Sequence, residues 1–275
     1  IDLGIDGFIV GFNFRNICRC PFCREELKQY FGKYPPQTLR EKFGIADLQD
    51  PAWLNFTADT SKPGDLGAGY PFRVPQSPLE WLGLEARRCQ HYWEKTRFDE
   101  IFIDYGRSLK PDLILGEWFH FNFMAPNERS LLSRDLWAKG EDYIWYCHFR
   151  GPTNLQEGHV SDTTLGAKFC RAMGRGKPFL MNTYDTRYRV GVADLVANGG
   201  IARGVHKPPV HEDDIGGFST YFRFLREQEP YYHPATSYAD VALVYADQAM
   251  QLGDAPRLRT LLRLGRRLID GHVPF

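Results

Sequence analysis

"DGFIVGFNFRNICRCPFC", Asp6 to Cys23, decides how the rest of the chain is read. Its first part belongs to a continuous apolar run, "IDGFIVGFN" (Ile5–Asn13), bounded by glycines. A run without polar alternation is expected for a strand buried on both faces, as in a parallel sheet. The strand leads through Phe14 and Arg15 into three cysteines spaced C-x-C-x-x-C. From these, "CPFCREELKQYFG" reads as a helix, with Pro21 near its first turn and Gly32 after its end.

The same grammar recurs along the chain. Residues 33–75 are rich in loop signals ("KYPPQ", "SKPGDLGAGYPFRVPQ") and read as a long excursion. From Ser77 to Leu109 the pattern is a long helix. Ser77 suits the N-cap, Pro78 the first helical position and Glu80 the capping-box site. Its expected buried stripe is Leu82, Ala86, Cys89, Trp93, Ile101 and Tyr105. Strands are expected in "PDLILGEWF" (Pro111–Phe119), "EDYIWYCHF" (Glu141–Phe149), "KPFLMNTYD" (Lys177–Asp185) and, shorter, "IARGVHKPP". Helices are expected in "DTTLGAKFCRAMGRG", "RVGVADLVANGG" and "GGFSTYFRFLREQEPYY". A final strand, "ADVALVYAD", and a helix, "APRLRTLLRLGRRLIDGH", close the chain.

Alternating strands and helices imply parallel strands with crossover helices, hence an α/β fold. Five strands precede Pro230, which fits the C-terminal portion of a (β/α)8 TIM barrel better than a doubly wound sheet. No G-x-G-x-x-G or P-loop follows any strand. In a barrel the chemistry lies at the C-terminal ends of the strands. The residues placed there are Asn13 and Arg15, then Glu117, Trp118, His120 and Asn122. After them come Cys147 and His148, then Asn182, Tyr184, Asp185, Arg187 and Tyr188, and finally His206 and Lys207. Acids, amides, imidazoles and aromatic faces on one rim suit a neutral polyhydroxylated substrate.

The 275 residues carry 34 basic and 34 acidic side chains, so bulk charge recruits neither nucleic acid nor a membrane surface. The run "RLRTLLRLGRR" reads as a solvated helix face. No apolar run approaches the roughly 20 residues needed to cross a bilayer, and no secretory signal is visible. The opening on Ile1 and the close on "GHVPF" read as those of a fragment, with a cytoplasmic location weakly favoured.

Cys18, Cys20 and Cys23 suit one tetrahedral zinc. The fourth ligand is expected from Cys89, His91 or a residue upstream, and a metal-free cluster or a catalytic ion with an open position are the alternatives. Cys147 and Cys170 read as buried small hydrophobes.

The run of strand, Asn, C-x-C-x-x-C and "CREELKQYFGKY" helix resembles glycoside hydrolase family 42, the β-galactosidases. "EQEPYYHPATSYADVALVY" and "RTLLRLGRRLIDGHVPF" resemble the junction to, and the first helix of, that family's flavodoxin-like trimerisation module. The resemblance implies a partial barrel over residues 1–236 and a truncated second domain over 237–275. It also implies a structural zinc on the cysteines, a trimer, and hydrolysis of a glycoside or of an oligo- or polysaccharide. Asn13 matches the family's asparagine. Phe14 stands where its acid/base glutamate is expected, and Asn182 falls near its nucleophile; in other relatives the first strand ends in an aspartate where this chain has Gly11. The remaining acids then carry the reaction, Glu117 as acid/base and Asp185 as nucleophile. Asn13, Arg15, Trp118, His120, Asn182, Tyr184 and His206 would hold the sugar. Two other readings stand beside this one: a catalytically inactive carbohydrate-binding or assembly protein on the same scaffold, and a metal-dependent hydrolase built on His206, His148 and Asp185.

Overall fold

The structure, a computed structural model, describes residues 4–11, 18–55, 73–119, 136, 138–148, 163–183, 188–203, 212–232 and 236–275. Within these, residues 10–11, 117–119, 146–148, 163, 182–183, 188–191, 202–203 and 212–218 are described by their backbone. The elements run β1 (Gly7–Gly11), α1 (Pro21–Phe31), α2 (Pro36–Phe43), a 3-10 turn (Pro51–Asn55) and α3 (Pro78–Phe98). The last continues through a π-helical stretch (Asp99–Tyr105) into α4 (Gly106–Leu109). Then come β2 (Ile114–Phe119), β3 (Tyr143–His148), α5 (Thr163–Gly174), β4 (Phe179–Thr183), α6 (Tyr188–Ala197) and β5 (Ile201–Arg203). The chain ends with α7 (Glu212–Glu227), α8 (Glu229–Tyr232), α9 (Asp247–Gln251) and α10 (Ala255–Asp270).

The five strands form one sheet in the order β1-β2-β3-β4-β5, every pair parallel. The fold is therefore α/β on a parallel sheet. Its order follows the chain, with no reversal. Leu115 pairs with Phe8, and Ile144 with Phe179, two residues before Met181. By the two-residue pleat these residues share one face, and Leu115, Ile144, Phe179 and Met181 are at most 2% exposed. The helices explain the burial. Phe98 of α3, with Phe102 and Ile103 beyond it, packs on Phe8, Leu113 and Leu115. Residues of α5 (Ala167, Cys170, Met173) and α6 (Val192, Leu195) pack on Ile144, Phe179 and Met181. On the other face Ile9, Ile114 and Ile201 are 38%, 49% and 47% exposed, while Trp145 is buried. Gly116 is required on that side, because a Cβ there would lie 2.4 Å from the ring of its partner Tyr143.

The amino-terminal ends of the strands are tied by charge. Lys95 Nζ lies 2.6 Å from Asp99 Oδ1 and 3.0 Å from Glu141 Oε1, and Lys95 and Glu141 are both buried. Lys177 Nζ donates to the carbonyls of Ala138 and Glu141. Asp142 accepts from Arg107 Nη2 at 2.9 Å and from the Leu115 N–H at 2.7 Å.

Three readings of local sequence are corrected. The segment 33–55 is not loop throughout, because Pro36 opens α2, where a proline's fixed φ and missing N–H cost nothing. Its side chains Leu39 and Phe43 close an aromatic cluster with Phe31, Leu27 and Leu54. The long helix keeps its Ser77 cap, which accepts from the Glu80 N–H, but the Glu80 carboxylate takes the N–H of Gln76. Leu82, Ala86 and Cys89 are buried as expected, whereas Ile101 and Tyr105 are 54% and 62% exposed. The π-helical stretch advances the helix by an extra residue per turn. That rotates Ile103 inward in place of Ile101. Finally, the expected strand "ADVALVYAD" has no strand assignment, and Val244 is 78% exposed. Strand geometry needs a partner ladder, and none is present for it among the described residues. The segment instead places Leu243 and Tyr245 against the α5 cluster. α10 forms as read and buries Leu258, Leu261 and Gly265.

Candidate metal centre and strand-end site

The thiol cluster is built by a helix start. Cys20 is the N-cap of α1, with extended backbone, and its Sγ accepts the Cys23 N–H at 3.4 Å. Cys23 lies in the first turn, and Pro21 between them stands where a helix tolerates proline. Cys18 lies outside the helix. Its N–H donates to Gln90 Oε1 at 3.0 Å, and its carbonyl accepts from Gln90 Nε2 at 2.6 Å. The ring of Phe22 meets Trp93, one turn along α3 from Gln90, at 5.5 Å.

The three Sγ atoms lie within 4.8 Å of one another. Tetrahedral zinc with Zn–S near 2.3 Å separates its sulfurs by about 3.8 Å, so a small closure brings this set onto one ion. The electrostatics point the same way. The Cys20 thiol is held below its usual range, chiefly by the Cys23 backbone N–H. Burial, and the two neighbouring thiols after it, push Cys23 up to about 12. A cation among the thiols would relieve the cost of ionising Cys23. The arrangement is able to hold one metal ion.

The fourth-ligand candidates within the chain do not join this group among the described residues: neither Cys89 nor His91 is part of it. Cys89 packs in the α1–α3 apolar cluster, and burial pushes its thiol up to about 12, the state of a protonated core residue. Cys170 is fully buried, as a small hydrophobe should be.

Of the strand-end residues, Glu117, Trp118, Cys147, His148 and Asn182 lie on described strands. Glu117 stands level with Val10 and Ile144, in the row that includes Leu115. Trp118 stands level with Trp145, and Asn182 level with Cys147, two residues farther along. Trp118 and Asn182 therefore occupy the row opposite the helices, separated by about 7 Å along the strands. Glu117 occupies the row that the helices cover. Asn13, Arg15, His120, Tyr184, Asp185 and His206 lie outside the described residues. A cavity of about 790 Å³, lined by Lys168, Arg171, Arg175, Tyr238 and Tyr245 among others, lies at the other end of the sheet, where Gly176 and Asn198 lead into β4 and β5.

Sequence reasoning did not find Gln90. It is 72 residues from Cys18, inside a helix, and no local signal marks it. Glu94, one turn on, was missed as well. It is half-buried, and burial pushes its carboxyl up to about 7 against the pull of Arg87.

Comparison of the chain with family models, curated proteins and solved structures finds no match. No helix among the described residues is long and apolar enough to cross a membrane.

Proposed function

We propose that the chain is the C-terminal part of a (β/α)8 barrel that acts on glycosides, with a structural zinc on Cys18, Cys20 and Cys23 and a flavodoxin-like segment beginning after residue 236. The observation that carries the reading is the sheet order. A doubly wound sheet reverses its order at a switch point and bears helices on both faces. Here the order is sequential, and α3, α5 and α6 pack on one face. The half-open opposite face fits a barrel interior. In this reading Glu117 is the acid/base and Asp185 the nucleophile, while Trp118, Asn182 and the neighbouring strand ends hold the sugar. Carboxyl groups about 5 Å apart would give retention, and about 6.5–9.5 Å inversion. The thiol-bound ion is remote from proton transfer and pins the chain that leaves β1. A trimer formed through the C-terminal segment belongs to the same reading.

One observation favours a second reading, a carbohydrate-binding protein without turnover: Glu117 shares its row with Leu115 and Ile144 beneath the helices. A panel of aryl glycosides separates the two. Turnover lost in Glu117→Gln and retained in Asp104→Asn, an exposed acid in the π-helical stretch, supports hydrolysis. Equal turnover in both variants removes Glu117 from the mechanism. Sugar binding without turnover in the unaltered protein establishes the second reading.

A further inference from the structure

Two of the three thiols are placed by one element. Cys20 caps α1 and Cys23 sits in its first turn, so the helix fixes their separation. Cys18 precedes the helix and takes its position from elsewhere. The group that reaches it is the Gln90 amide, which meets both polar groups of the Cys18 backbone. Gln90 is 6% exposed, whereas Cys18 is exposed. A carboxamide offers a donor and an acceptor side by side, which matches the N–H and C=O of one extended residue. Neither a carboxylate nor an ammonium does both.

The residue is also well placed to act as a fixed reference. Its helix, α3, is capped by Ser77, packed on α1 and α2 through Leu82, Ala86 and Cys89, and tied to the strand bases by Lys95. We infer that Gln90 is a positioning residue of the metal centre, whose two hydrogen bonds to the Cys18 backbone hold that thiol at bonding distance from an ion on Cys20 and Cys23. The inference rests on the metal reading above and deepens it. Buried polar partners that orient ligands typically carry 10–100-fold in affinity. A carboxylate at this position would keep the acceptor, lose the donor and add negative charge beside the thiolates.

The test uses the full chain and cobalt(II), whose thiolate charge-transfer absorption reports how many sulfurs are bound, with zinc affinity read by competition against a chelator. Gln90→Met removes both hydrogen bonds at similar volume. It should weaken zinc 10–100-fold and lower the charge-transfer absorption by about one third, one thiolate of three. Gln90→Glu should weaken zinc at least as much, and it decides the matter if the methionine variant does not fold. Tyr34→Phe, which deletes a hydroxyl bonded to Glu85 in the same α1–α3 interface, should leave both readouts unchanged. Gln90 variants with unaltered affinity and spectrum overturn the inference. So does a Tyr34→Phe protein as impaired as Gln90→Met, because loosened packing then explains the loss. A parent protein showing no thiolate band overturns the metal reading itself, an outcome distinct from both.

Discussion

The base of the sheet and the thiol corner are both polar clusters tied to α3, and they solve opposite problems. At the base, Lys95 meets Asp99 and Glu141, Asp142 meets Arg107, and Lys177 caps two carbonyls. Each charge has an opposite charge or a dipole within hydrogen-bond reach, so the cluster is complete in itself. At the corner, three thiols stand within 4.8 Å, and the buried one is held protonated by desolvation and by its neighbours. That cluster could hold a cation. Self-neutralised polar groups secure a fold, whereas a close set of thiols without a countercharge among them offers a place for a cation.

This contrast is open to experiment, and the base should give the largest effect. Lys95→Met leaves Glu141 buried beside an apolar side chain and should cost about 3–5 kcal/mol. Denaturant unfolding measures it, and a cost below about 1 kcal/mol would show that the base is not held by this ion pair. At the corner, zinc at about a hundredfold over its Kd should add about 2.7 kcal/mol to stability. Hydrogen exchange should slow first across Pro21–Phe31 and least in β2, and chelation should reverse both. Slowing centred on β2 would misplace the ion.

Glu94 lies between the two regions on α3. Its folded pKa, about 7, exceeds the usual carboxyl value of 4.5, so the folded state binds more protons in that interval. Stability should therefore fall as pH rises from about 4.5 to 7, by about 2 kcal/mol once partial solvation is discounted, and level off above. Glu94→Gln should flatten that profile, and an unchanged slope would assign the effect to another group. The smallest change is expected from Arg107→Gln. It breaks a partly exposed pair with Asp142, worth about 1 kcal/mol or less. A loss near that of Lys95→Met would mean that burial does not rank these pairs.

Much of this architecture was legible in the residues. All five strands found here were expected, although the burial of β1 on both faces was not met, since Ile9 is 38% exposed. Pro21, Ser77 and Gly32 marked helix ends because their backbone chemistry acts within one turn. Three features were not legible. The π-helical stretch changes the phase of the helix without any composition signal, so Ile101 and Tyr105 were assigned inward. "ADVALVYAD" has strand composition, but a strand exists only with a neighbour to pair with. Pro35–Pro36 looked like loop, although Pro36 opens a helix once Leu39 and Phe43 have a cluster to enter. For the site, the spacing of three cysteines pointed to a group able to hold a metal ion, while the row of Glu117 depended on strand register.

By itself the sequence determined that three thiols fall within reach of one ion and where Pro21 and Ser77 start helices, because each follows from contacts a few residues apart, and its alternation of strands and helices implied a parallel sheet. Tertiary structure alone decided which face of β2 Glu117 occupies, that Cys89 belongs to the core rather than to the thiol cluster, and that Gln90 bonds the Cys18 backbone. Those outcomes depend on pairing and packing between residues far apart in the chain. Local propensity carries no information about which distant side chain will arrive.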